Sequence, residues 1–199
     1  MKATQEKIED LFPSVYITLI SILFGFAVED VITRLRELAP LDMYTLLSAV
    51  GVLSGIMAAW IGYSFVSMTQ ERLPMVMDAV HVFLMAFCCY IVITTLGMEI
   101  WWFFAALCVY QCVALYATIY NGNLLMKSLS TAYDWRIFLQ NRLIVEIVMV
   151  FFSVAAWKSH EGMMSIELEL SLLVYYFISN VFWVYFFYRA WTKLIKEFA

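Results

Sequence analysis

Residues 14–28 read SVYITLISILFGFAV, fifteen positions without a charge. Five more apolar stretches follow, each near the about 20 residues that a helix needs to cross a hydrocarbon layer of about 30 Å. We read the six as 14–36, 43–68, 74–97, 99–121, 137–158 and 165–190. Backbone groups have no water to bond in lipid, so each stretch must satisfy itself as a helix or join a closed barrel. The apolar residues run on without the two-residue alternation of barrel strands, which leaves helices. Overall, 64% of residues are apolar and 14% charged, with three prolines and seven glycines. A soluble domain is about 45–50% apolar and about 25% charged.

The expected fold is therefore all-α: a polytopic membrane protein, one six-helix transmembrane bundle over 1–199 with short loops. Residues 1–13 read as an amphipathic lead-in that places Pro13 near the first turn of helix one, and 191–199 as a polar tail. Lys and Arg set the orientation, because cytoplasmic loops collect them. Lys2, Lys7, Arg72, Lys127, Arg136, Arg189, Lys193 and Lys196 fall on one side, and Arg34, Arg36 and Lys158 on the other. Eight against three puts both termini in the cytoplasm, in a multi-pass protein of the plasma (inner) membrane. The opposite face gathers eight acids: Glu29, Asp30, Glu37, Asp42, Glu99, Glu161, Glu167 and Glu169. A net charge of −4 without basic clusters excludes nucleic acid as a partner.

Helical spacing sorts the polar residues into stripes. Ser14, Thr18, Ser21, Gly25 and Glu29 share one face of the first span, expected to line the bundle interior with Glu29 at the mouth of a polar path. Asp30 is expected to lean on Arg34 at i,i+4. In the second span Gly51, Gly55 and Gly62 form a small-residue face suited to a close helix contact, within one subunit or between copies in a homo-oligomer. In the third, Asp78 and His81 share a face with Met85 and Cys88. In the fifth, Arg142 and Glu146 sit at i,i+4, Glu146 about 14 Å into its helix. Gln111 and Asn180 lie at comparable depth, and His81, Gln111, Glu146 and Asn180 are expected to converge on one inner cluster. Ionisable groups at such depth are costly and usually functional. A structural clip, with Arg142 paired to Glu146 and Asp78, is the competing reading.

Several chemistries lack their residues. Two histidines, His81 and His160, are placed at opposite faces, so a bis-histidine haem has no ligands. Cys88, Cys89, Cys108 and Cys112 lie inside spans without a C-x-x-C pair. No phosphate-binding loop, dinucleotide turn, nucleophile elbow or zinc-protease motif occurs, so no cofactor, metal or catalytic residue is assigned and an enzyme is disfavoured. The leading expectation is a small channel or transporter for a cation or protons, drawing on the acidic outer face and the Asp78, His81, Arg142 and Glu146 cluster. The alternative is a non-transporting accessory, assembly or sensor protein that binds a partner through helix faces. A pocket lined by Trp101, Tyr176 and Trp183 ranks below both.

Overall fold

The computed structural model describes the backbone of residues 2–69, 76–128 and 135–198. Its described side chains are those of 14–67, 77–117, 119–120, 143–144, 146–148, 150–185, 187–189 and 192. Six α-helices make up its regular structure: α1 Lys2–Glu37, α2 Met43–Thr69, α3 Val76–Thr94, α4 Ile100–Ser128, α5 Trp135–His160 and α6 Ile166–Phe198. Their bounds follow the six apolar runs closely, because long apolar sequence with few glycines or prolines has no cheaper way to satisfy its backbone. Among the described residues, five stretches suit a membrane crossing by length and apolarity: Ser14–Glu37, Met43–Ser67, Met77–Thr94, Ile100–Ala117 and Ile166–Arg189. Helix α5 carries Arg136, Gln140, Asn141, Arg142 and Glu146 in its first half. Large apolar side chains stand exposed along the bundle, among them Val15, Phe26, Phe87, Val150 and Phe182. An apolar outer surface of this extent suggests a membrane-embedded protein.

Two expectations about α1 need correction. The lead-in and the first span form one continuous helix, so Pro13 lies in its interior and not near its first turn. Lacking an N–H, Pro13 leaves the carbonyl of residue 9 without its usual helical donor. The polar stripe also points the other way: Ser14, Thr18, Ser21, Gly25 and Glu29 are all exposed, while Tyr16, Ile20, Phe24, Ala27 and Val31 are buried. Spacing defines a face but not its direction, and lipid exerts no hydrophobic pull that would send polar groups inward. The stripe is satisfied where it stands. Thr18 Oγ1 donates to the Ser14 carbonyl at 2.8 Å, and Trp60 Nε1 donates to Ser21 Oγ at 3.1 Å.

Helix α2 occupies the middle, touching α1, α3, α4 and α6, with α5 laid against α4. Its glycine face is filled from within. A Cβ on Gly51 would lie 2.9 Å from Tyr176 Cδ1, one on Gly55 would lie 2.7 Å from the Tyr176 hydroxyl, and one on Gly62 would lie 3.2 Å from the Phe187 ring. The expected close contact is therefore present, between α2 and α6 of one chain. The side chains of Tyr176 and Phe187 on α6 fill the face that was expected to accept either a helix of the same chain or a second copy. From Tyr176 the core continues through Phe152 (ring centroids 5.5 Å) to Phe104 (5.7 Å), tying α6, α5 and α4.

The α1–α2, α3–α4 and α5–α6 connections gather at one end, the loop end, opposite the chain termini. Gly97 turns the chain after α3 with φ +80, and Leu38 lies where its Cβ would project, 2.5 Å from Leu38 Cδ2. Both features demand glycine. Arg34 meets this turn from α1: its Nε donates to the Leu96 carbonyl at 3.2 Å and its Nη1 pairs with Glu37 at 3.2 Å. The expected Asp30–Arg34 pair is thus replaced by a cation at the carboxyl end of α3, where it complements the helix dipole.

Gly55→Leu should lower stability by about 1–3 kcal/mol, the usual range for overpacking. Gly25→Leu should be neutral, because nothing lies within 4 Å of its Cβ position. Thermal-shift measurements in detergent check the pair, and equal melting temperatures for both variants would contradict this account of the α2–α6 contact.

Candidate functional site

Buried tyrosines organise the bundle interior. Tyr16, Tyr63, Tyr110 and Tyr176 are each at most 7% exposed. Tyr16 donates to the Asp78 carbonyl at 3.1 Å, Tyr63 to the His81 carbonyl at 3.3 Å and Tyr110 to the Gly55 carbonyl at 3.1 Å. Each bond joins two helices and uses the second lone pair of a carbonyl already engaged in its helix. A phenol buried without such a partner would be costly, so the apolar ring and the polar tip are satisfied together. The sequence reading missed these residues. Their signal was present, since Tyr16 falls on the Ile20–Phe24 face of α1, but a tyrosine's depth and target carbonyl are set by a different helix.

The candidate residues named from the sequence divide into separate groups. Asp78 and His81 are buried one turn apart near the start of α3, at 5% and 1% exposure. The His81 ring meets Tyr116 (4.9 Å) and Tyr120 (4.4 Å) of α4 edge-on. Neither of its nitrogens has a hydrogen-bond partner among the described residues. Asn180 is buried elsewhere, its Nδ2 donating to Ser54 Oγ at 3.0 Å and approaching the Gly51 carbonyl at 3.4 Å. Ser54 and Tyr63 are nine residues apart on α2, which separates the Asn180 and His81 groups by about 14 Å along the axis. The single cluster expected of His81, Gln111, Glu146 and Asn180 therefore does not form. Gln111 is buried on α4, Glu146 is half-buried on α5, and the Arg142 side chain lies outside the described residues. Glu29 is exposed on α1 and lines no interior path. Nor do Trp101, Tyr176 and Trp183 share a pocket. Trp101 stacks on Trp102 and His160 at the loop end, Tyr176 fills the α2–α6 contact, and Trp183 stacks on Phe187.

A cavity of about 210 Å³ lies at the loop end, between the starts of α2 and α6 and the α3–α4 turn. Its polar wall comprises Asp42, Tyr44, Thr45, Ser48, Thr95 and Glu169, and Leu96, Ile100 and Phe103 supply apolar surface. Glu169, 9% exposed, accepts from Tyr44 Oη at 3.1 Å and from Ser159 Oγ at 2.5 Å, joining α2, α5 and α6. Asp42 Oδ1 accepts the Thr45 N–H at 2.6 Å as the N-cap of α2. That backbone hydrogen bond, followed by one from the Thr45 hydroxyl, holds the Asp42 carboxyl below its ordinary 3.8. Ser48 is 4% exposed and lines the same wall. The same described residues hold no group of three or more His, Cys, Asp or Glu that would suit a metal ion.

No protein-family model matches the chain, and neither a curated protein nor a solved structure matches it. Function is therefore read from the residues themselves.

Asp42→Ala should cost about 1 kcal/mol at pH 7, the usual worth of an N-cap. A folded-state carboxyl lowered from 3.8 contributes stability that is fully present above that value and is lost as pH falls through the lowered one. The gap between wild type and Asp42→Ala should accordingly close in acid, whereas Asp42→Asn should cap nearly as well and show less pH dependence. Melting temperatures measured from pH 7 to pH 3 check this, and a gap that widens in acid would refute it.

Proposed function

We propose that the protein is a small transporter of a proton or small cation, with six spans, both termini cytoplasmic and the loop-end cavity facing outward. The orientation rests on the eight-to-three Lys/Arg asymmetry. The sixth span is α5, whose 26 residues join the inner end of α4 to the outer end of α6. The acidic outer face concentrates cations near the cavity.

The observation that carries this reading is the run of buried polar groups down α2. Thr45 and Ser48 face the cavity, Ser54 binds Asn180, the Gly55 carbonyl receives Tyr110, and Tyr63 reaches His81. Polar groups in a lipid-embedded interior are expensive and tend to mark substrate pathways. His81 ends the run with both nitrogens unpartnered, a deficit of about 1–3 kcal/mol that structural packing alone gives no reason to retain. An imidazole there is suited to taking up and releasing a proton near the inner face. Leu96 and Phe103, both at most 2% exposed, supply apolar surface to the cavity wall.

A second reading, a partner-binding accessory protein, draws on the outward stripe of Ser14, Thr18, Ser21, Gly25 and Glu29. Small residues let another helix approach closely.

Flux into liposomes, followed across protons, alkali cations and pH, tests the transport reading. His81→Gln should reduce flux at least tenfold with a melting temperature near wild type, and Glu169→Gln should reduce it as strongly with a lowered melting temperature, because Gln keeps one acceptor oxygen for the two hydroxyls of Tyr44 and Ser159. Wild-type flux in both variants, or no flux from the wild type under any gradient, would leave the partner reading in its place. For topology, cysteines introduced at residue 159 and at the C-terminus should be labelled from opposite sides, and labelling from one side would defeat the six-span arrangement.

A further inference from the structure

We infer that the loop-end cavity binds a small organic ammonium ion, a primary or alkylated amine of about four to seven heavy atoms. This names the substrate class of the site that the transport reading uses, and it rests on that reading for the step of carriage, though not for binding.

The cavity's size argues first. About 210 Å³ holds roughly seven waters at ~30 Å³ each, far more than a dehydrated metal ion fills. Charge argues next. Asp42 and Glu169 are the charged groups in the wall, and no basic residue lines it, so an anion would meet only repulsion. Glu169 is nine-tenths buried, and its printed partners, Tyr44 and Ser159, are neutral hydroxyls. A buried carboxylate supplied only with neutral donors lacks the countercharge that normally offsets its desolvation. A cation in the cavity supplies it.

Donor geometry then separates an ammonium from a metal. Calcium takes six to eight oxygens, usually several from carboxylates. Asp42 already spends one oxygen on the α2 cap, and no group of three acidic or soft ligands occurs among the described residues. An ammonium needs about three acceptors. Ser48 offers a hydroxyl in the cavity wall, and Glu169 keeps a second lone pair on each oxygen. The remaining wall, Leu96, Ile100 and Phe103, is apolar and leaves space for an alkyl group. A bare hydrated ion would gain nothing from that side, whereas an alkylammonium buries its carbon there while its charged end meets Glu169.

Purified full-length protein in nanodiscs can be titrated with propylammonium, isobutylammonium and tetramethylammonium chloride, by thermal shift and calorimetry. Sodium, potassium, magnesium and calcium chlorides at matched ionic strength and the neutral isobutanol serve as comparisons. At least one organic ammonium should raise the melting temperature in a saturable way, and isobutanol and the inorganic ions should not. Glu169→Gln should weaken that binding at least tenfold. Ser48→Ala, which leaves every printed hydrogen bond of the cavity intact, should weaken it about threefold to tenfold, in line with one lost hydrogen bond. Equal stabilisation by isobutanol or by an inorganic cation would overturn the inference, as would unchanged ammonium binding in Ser48→Ala and Glu169→Gln together. Ammonium binding without flux would sustain this site and remove the transport reading. Proton flux without ammonium binding would do the reverse.

Discussion

Tyr176 seated on the bare backbone of Gly51 and Gly55 is the contact on which the bundle depends. It brings α6 close enough for Asn180 to reach Ser54, and its ring edge extends the aromatic series to Phe152 and Phe104. In lipid, helices gain little from hiding apolar surface from one another, since the tails outside are equally apolar. Close approach and satisfied polar groups must hold them instead. Glycine supplies the first and tyrosine the second, the phenols of Tyr16, Tyr63 and Tyr110 each closing on a carbonyl of a neighbouring helix. The interior is bonded across helices as well as along them.

The two ends of the bundle follow from this arrangement in different ways. At the loop end, Arg34 and Gly97 finish α3, Asp42 starts α2, and Glu169 draws together α2, α5 and α6. These bonds and the apolar side chains of Leu96 and Phe103 surround the loop-end cavity. Toward the termini, His81 is held by aromatic edges without any hydrogen bond to its nitrogens among the described residues. One end is thus roomy and negatively charged, and the other presents a single titratable ring in a closed site.

The glycine face was legible in advance because small residues at spacings of four and seven have one good use in lipid, whichever helix arrives to use it. The six helices were legible for a similar reason, though their bounds shifted: α1 continues back through Pro13 to Lys2, α4 runs on to Ser128, and α6 runs on to Phe198. The inner cluster was misjudged. Depth along each helix placed Gln111, Glu146 and Asn180 together, but depth says nothing of azimuth, and Asn180 turned to α2 while His81 turned to α4. Glu29 was misjudged on the same ground. A stripe of Ser, Thr and Gly tolerates lipid once its hydroxyls bond locally, so its presence does not reveal which way the helix is rotated. The cavity was invisible because its wall is drawn from three connections far apart in the chain.

By itself, then, the sequence determined that the chain is a bundle of apolar helices, where the apolar run of each one lies, and which face of α2 accepts a close neighbour. These are properties of single segments, set by backbone satisfaction and side-chain size within one helix. Tertiary structure alone decided the rotation of α1, the partners of the tyrosines, the separation of Asn180 from His81 and the cavity around Glu169. Those are relations between segments, and in a medium without a hydrophobic gradient across the helix surface they are settled by which side chains interlock.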